Sequence, residues 1–168
     1  DVAAALAFLS ARPGIDRERI GIFGFSLGGS TAILTAARSG KFAAVAADSA
    51  FTSLRDQALE AITGFYHLPS LPFVNLSILG YELYFQTSIK NVAPESVIGN
   101  ISPVPLFIIA GEGDEMIPAE NGLRLFSAAK EPKDLWIIPV GGHGGTIAAA
   151  GDEYGKRVGE FFDRHLKR

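Results

Sequence analysis

The segment Gly24-Phe25-Ser26-Leu27-Gly28-Gly29 sets a serine between glycines, directly after the apolar run 20–25 and before the small-residue stretch 27–39. This is the pattern G-x-S-x-G, in which a sharp strand-to-helix turn lifts a serine hydroxyl above the end of a sheet. Gly24 and Gly28 are expected where a Cβ would collide with neighbouring backbone. A glycine-rich turn that only packs a helix against a strand is spelled the same way, so it is the strand before and the helix after that carry the reading. Neither G-x-G-x-x-G nor G-x-x-x-x-G-K-S/T occurs at this turn, so a phosphate cradle lacks its best sign.

A serine hydroxyl is a weak nucleophile at neutral pH and needs a base within hydrogen-bond reach, held by a third group. The chain has three histidines. His165 lies in the charged tail and reads as a solvated residue, and His67 lies among aromatics and prolines, where packing or surface is the plain expectation. His143 sits in Gly141-Gly142-His143-Gly144-Gly145, directly after an apolar run, where glycines let a loop fold back over strand ends. For the orienting acid, the loop Gly111-Glu112-Gly113-Asp114-Glu115-Met116-Ile117-Pro118 offers Asp114, with Glu112 and Glu115 read as solvated or helix N-terminal charges. Asp48, which follows another apolar run, is the rival acid. The order Ser26, Asp114, His143, each just past a strand end, favours Asp114.

The elements that must position these groups alternate. A helix runs from the first residues, with Asp1 at the positive end of its dipole, to the turn Arg12-Pro13-Gly14. Strands are expected at 20–25, 42–47, 104–110 and 135–140, as nearly continuous apolar runs covered on both faces. Helices are expected at 27–39, 118–130 and 152–167, the first closed by Gly40. This rhythm predicts an α/β fold, a parallel sheet with helices on both faces. Residues 49–103 depart from it as a cap-like excursion, with helices at 54–63 and 79–88 flanking the proline- and aromatic-rich stretch 65–73. Phe65, Tyr66, Phe73, Tyr81, Tyr84 and Phe85 there read either as the lining of an apolar acyl pocket or as plain core.

Composition narrows the chemistry. With 168 residues, 48% of them hydrophobic, and a mean hydropathy of +0.23, the chain reads as a single globular domain over 1–168. A net charge of −3 supplies no basic field, so nucleic acid is not an expected partner. The absence of cysteine excludes disulfides, thiolate catalysis and cysteine-held metals. The apolar stretch 68–81, broken by Pro69 and Pro72, is too short to span a bilayer, and no signal-peptide pattern is visible; a cytoplasmic location is the expectation.

The elbow at Ser26, the acid loop with Asp114 and Ile117-Pro118, and Gly142-His143-Gly144 together resemble the α/β-hydrolase superfamily, above all its esterase, thioesterase and serine-peptidase branches. The resemblance covers nearly the whole chain. It implies a serine hydrolase acting on a small-molecule or peptide acyl substrate through an acyl-enzyme, with Ser26 as nucleophile, His143 as base, Asp114 as orienting acid and no cofactor or metal. It also implies an oxyanion hole with the Leu27 N–H as one donor and a second donor from an early strand loop. One helix precedes Ser26 here, so the expectation is that this is the C-terminal part of the fold. Upstream strands, or a partner, would then cover a bare apolar edge at the nucleophile strand. A non-catalytic scaffold or binding domain of the same fold remains the rival expectation.

Overall fold

The computed structural model describes residues 2–167; Asp1, and the dipole role expected of it, lie outside the described residues. Chain order runs α1 (Val2–Ser10), β1 (Gly21–Phe25), α2 (Leu27–Ser39), β2 (Ala44–Asp48), α3 (Leu54–Glu60), α4 (Ser70–Phe85), α5 (Pro94–Val97), β3 (Leu106–Gly111), α6 (Ala119–Ala128), β4 (Lys133–Ile138), α7 (Thr146–Ala150) and α8 (Asp152–Leu166). All strand pairs are parallel, in the order β1-β2-β3-β4. The fold is therefore α/β, with a parallel sheet, as the alternation of elements predicts.

The sheet is covered on both faces by separate cores. On one face Leu6 of α1, Ile33 and Ala36 of α2 and Leu125 of α6 pack on Val45, Ala47, Leu106 and Ile108. On the other, Tyr154 and Phe161 of α8 pack on Ala44, Ala46, Phe107 and Ile109. The alternation of strand side chains between faces feeds both cores, which is why β2 and β3 are buried throughout while remaining apolar at every position but Asp48 and Gly111. β1 lies at a sheet edge, with Phe23 and Phe25 exposed.

Several boundaries differ from the sequence reading, for local reasons. β2 starts at Ala44, two residues after Phe42, whose ring packs in the core. β3 starts only after Pro105, which has no N–H to give to a ladder. β4 starts at Lys133, whose ammonium donates to the carbonyls of Phe126 and Ala129, both at 2.8 Å, at the end of α6. It stops at Ile138, short of Val140, which takes a left-handed φ of 64°.

The excursion is helical through more of its length than expected. α3 starts at an N-cap, Ser53, whose hydroxyl accepts from the Asp56 N–H at 3.0 Å, and a π-helical turn over Ala61–Phe65 extends it. α4 takes in Pro72, in place of a helix over 79–88. Leu71 is non-helical, so Pro72 falls at the start of the regular helix, where its missing N–H has no partner to lose. α4 ends where Gln86 turns left-handed, at φ 50°. Among the described residues, no helix is long and apolar enough to cross a membrane.

Candidate active site

Parallel strands of matched register end together, so the loops that follow β1, β3 and β4 emerge at one end of the sheet. Phe25 pairs with Asp48, Asp48 with Ile109, and Gly111 with Ile138. Ser26, Asp114 and His143 stand in those loops.

The turn at Ser26 is tight and strained. Its φ of 55° and ψ of −122° lie in a region that side chains other than glycine rarely enter, a cost of about 1–3 kcal/mol. Two main-chain bonds hold it there: the Ser26 N–H donates to the Asp48 carbonyl at 2.8 Å, and its own carbonyl accepts from the Ser30 N–H at 3.1 Å. Gly24 is required by the same turn, since a Cβ there would lie 2.1 Å from the Gly28 carbonyl oxygen. Gly28 differs from the expectation, because a Cβ there would meet nothing within 4 Å. The second constrained glycine is Gly29, where a Cβ would come 2.9 Å from the Asp48 carbonyl oxygen as α2 crosses β2. Leu27 is the first residue of α2, so its N–H has no intrahelical acceptor and stands at the positive end of the helix dipole.

Ser26 Oγ lies 3.1 Å from His143 Nε2, and His143 Nδ1 lies 2.9 Å from Asp114 Oδ2. A carboxylate only accepts, so the Nδ1–H donates to Asp114 and Nε2 is left free to accept from the serine hydroxyl. Asp114 is buried, and its other oxygen accepts from the N–H groups of Met116 at 3.0 Å and Ile117 at 2.8 Å. Those two bonds fix the carboxyl plane and leave Oδ2 for the imidazole. The Phe25 ring packs at 5.1 Å from that of His143. Of the other two histidines, His165 packs edge-on against Phe161 in α8, and His67 is exposed after the π-helical turn.

Asp48 does not reach the imidazole. It is fully buried, and its Oδ2 accepts from the hydroxyls of Thr146 at 2.8 Å and Tyr154 at 2.6 Å, while Oδ1 accepts from Ser49 at 3.0 Å. Burial, and then the hydrogen bond to Asp48, push the Tyr154 phenol far above its ordinary range. Beyond the presence of Asp48, nothing along the chain signals this cluster, because its partners lie 98 and 106 residues away.

A second network missed by the sequence reading ties the excursion to the acid loop. Asn121, buried in the first turn of α6, accepts at Oδ1 from the Thr52 N–H and hydroxyl, both at 3.0 Å, and donates to the Glu60 carboxyl. Gln57 donates to the carbonyl of Met116 at 3.0 Å, in the same residue whose N–H Asp114 holds. Burial raises the Glu60 pKa, the Asn121 hydrogen bond opposes this, and the neighbouring Asp56 charge adds to it. The aromatic residues of the excursion are not core: Phe65, Tyr66, Phe73, Tyr84 and Phe85 are exposed and Tyr81 is half-buried. Phe65 stacks edge-on against Tyr66, and Phe85 contacts Tyr81 and Tyr84.

Known proteins resemble the chain along nearly its whole length. The prolyl oligopeptidase family matches residues 1–168. The uncharacterized protein YfhR of Escherichia coli (strain K12) is 31% identical over 157 residues, covering 92% of this chain and 48% of that protein. The chain spans about half the length of the curated relatives it matches. Among solved structures, the acylaminoacyl peptidase of Pyrococcus horikoshii is similar over 99% of this chain and 27% of its own, with a TM-score of 0.74 and 25% identity. An esterase of Pyrococcus furiosus is similar over 99% of this chain and 61% of its own, with a TM-score of 0.71 and 25% identity.

Proposed function

The chain belongs to the prolyl oligopeptidase family, within the α/β-hydrolase superfamily, and from that membership we propose that it carries the catalytic groups of a serine hydrolase. The observation that carries the reading is the continuous relay from Ser26 Oγ through His143 to the buried Asp114, with links of 3.1 and 2.9 Å. Both distances are within reach for proton transfer.

In this scheme Ser26 Oγ attacks an acyl carbon as His143 Nε2 takes its proton. The imidazolium so formed is stabilised by Asp114, which two backbone N–H groups hold in place. The negative charge that develops on the acyl oxygen faces the Leu27 N–H, a fixed donor at the start of α2. His143 then returns the proton to the departing alcohol, thiol or amine, leaving an acyl-serine. A water molecule, deprotonated by the same Nε2, releases the acid and restores the hydroxyl. Every proton has a donor and an acceptor within this set, so the scheme calls on no cofactor. The substrate class is an ester, thioester or amide of a small molecule or peptide, and an esterase-like activity is the first to test.

The complete protein that contains this chain, treated with a fluorophosphonate probe, is expected to label at Ser26 and to lose the label in Ser26→Ala. Turnover of a short p-nitrophenyl ester should fall with it. A wild-type protein that neither labels nor turns over the ester would overturn the proposal in favour of a non-catalytic scaffold.

A further inference from the structure

Among the described residues, Asp48 is the buried aspartate that the hydrolytic scheme does not use. Its main chain holds the nucleophile turn while its side chain reaches the segment that follows the base. Its carbonyl accepts the Ser26 N–H at 2.8 Å. Its Oδ2 accepts the hydroxyls of Thr146, the first residue of α7, and Tyr154, in the first turn of α8.

Thr146 is three residues beyond His143, and the path between them is glycine. Gly144 is left-handed, at φ 75°, and the Gly145 N–H closes a turn onto the Gly142 carbonyl at 2.7 Å. Such a loop has little stiffness of its own. Its N-terminal end is fixed by β4, and its C-terminal end by whatever fixes α7. α7 has only five residues, too few to hold itself, and it is anchored through Thr146. Thr146 also packs on the loop itself, its Cα 3.3 Å from where a Cβ on Gly141 would stand.

The chemistry of this anchor is costly. A carboxylate taken out of water must be matched by good donors, and an apolar trio of similar shape commonly supports a fold as well or better. What an apolar trio lacks is direction. Hydrogen bonds of 2.6 and 2.8 Å onto one oxygen fix where α7 starts relative to the carbonyl that fixes Ser26. We propose that Asp48 is a positioning residue for the hydrolase, setting the separation of Ser26 and His143 through Thr146 and Tyr154. This rests on the serine hydrolase reading and deepens it.

The test uses Thr146→Val, Thr146→Ser and Tyr154→Phe in the complete protein, assayed with a p-nitrophenyl ester well below each variant's Tm. A displacement of about 1 Å at the reacting groups costs about 100-fold. Thr146→Val, which keeps shape and loses the donor, is therefore expected to lower kcat by about tenfold or more, with KM within about twofold. Thr146→Ser restores the donor and should return kcat to near wild type, and Tyr154→Phe should lower it as Thr146→Val does. A purely structural anchor gives the opposite result, a lower Tm with kcat unchanged, and that would overturn the proposal. So would a Thr146→Ser variant as impaired as Thr146→Val. Should the wild type hydrolyse nothing, the functional reading fails by itself, and the NMR signals of the His143 ring then decide the positioning. They are expected to move in Thr146→Val and Tyr154→Phe, and signals left at wild-type positions count against it.

Discussion

Replacing Asp114 with asparagine separates the orienting role proposed for this carboxyl from its role in holding the loop. The side chain does two jobs with two oxygens. Oδ1 accepts from the Met116 and Ile117 N–H groups, and Oδ2 accepts from His143 Nδ1–H. An asparagine can keep its oxygen on the two backbone donors, which leaves its amide facing the imidazole. Two donors then confront each other at 2.9 Å, and the ring relieves the clash by moving its proton from Nδ1 to Nε2. Nε2 can then no longer accept from Ser26. In a serine–histidine–aspartate triad this tautomer error costs about 10⁴ in kcat, or about 5.5 kcal/mol at about 1.36 kcal/mol per tenfold. Stability should barely change, because shape, volume and both backbone bonds survive. Asp114→Ala behaves differently: it removes the acceptor from the buried Ile117 N–H, at about 1–3 kcal/mol, and from the part-buried Met116 N–H, and should lower Tm as well as activity. The assay pairs p-nitrophenyl ester turnover with thermal unfolding of the complete protein for wild type and both variants. An Asp114→Asn enzyme within about tenfold of wild type, with Tm unchanged, would refute the orienting role.

The elbow makes a contrast within one motif: Gly24→Ala forces a Cβ to 2.1 Å from the Gly28 carbonyl and should destabilise by about 1–3 kcal/mol or more, whereas Gly28→Ala enters open space within α2 and should be neutral or stabilising by up to about 1 kcal/mol. Denaturant midpoints of the two variants decide it, and equal losses would mean that the turn is not the source of the constraint. Glu60, with its pKa raised from 4.5 by burial, contributes stability below that value that is lost as pH rises through the folded-state pKa. Glu60→Gln keeps an acceptor for Asn121 and titrates nothing, so its Tm relative to wild type should improve as pH rises above 4.5; a pH-independent difference would remove Glu60 as the cause. Ser26→Gly should abolish ester turnover without the loss of Tm usual for a new glycine, because relief of about 1–3 kcal/mol at φ 55° offsets the added chain entropy. A Tm well below that of Ser26→Ala would count against strain at the turn.

Much of this molecule is legible along the chain because its signals are local. The elbow is six consecutive residues, Gly24 to Gly29, which spell the turn by themselves, although one of the two bonds that hold it comes from the Asp48 carbonyl of β2. Buried strands of a parallel sheet are apolar on both faces, so 44–48 and 106–111 stand out with no knowledge of what covers them. Proline misleads in the excursion. Pro72 reads as an interruption, yet at the first turn of a helix it interrupts nothing, and only the surrounding backbone shows which turn it occupies. Gly28 misleads in a similar way: G-x-S-x-G names it, while the close approach of α2 to β2 is made at Gly29.

The two aspartates mark where linear order gives a preference and not a decision. Asp48 and Asp114 each follow an apolar strand, and each is an acid that chain order allows beside a histidine. A parallel α/β sheet, a serine raised at a strand end and a histidine on a glycine loop are all written in the sequence, because composition, periodicity and a six-residue motif specify them through nearest neighbours. Chain order favours Asp114 without excluding Asp48; the fold separates them, with Asp114 2.9 Å from His143 and Asp48 2.8 and 2.6 Å from Thr146 and Tyr154. A carboxyl group's role depends on which donors surround it once it is buried, and the donors that tell these two apart arrive from 29, 98 and 106 residues away, beyond the local ones at Ser49, Met116 and Ile117.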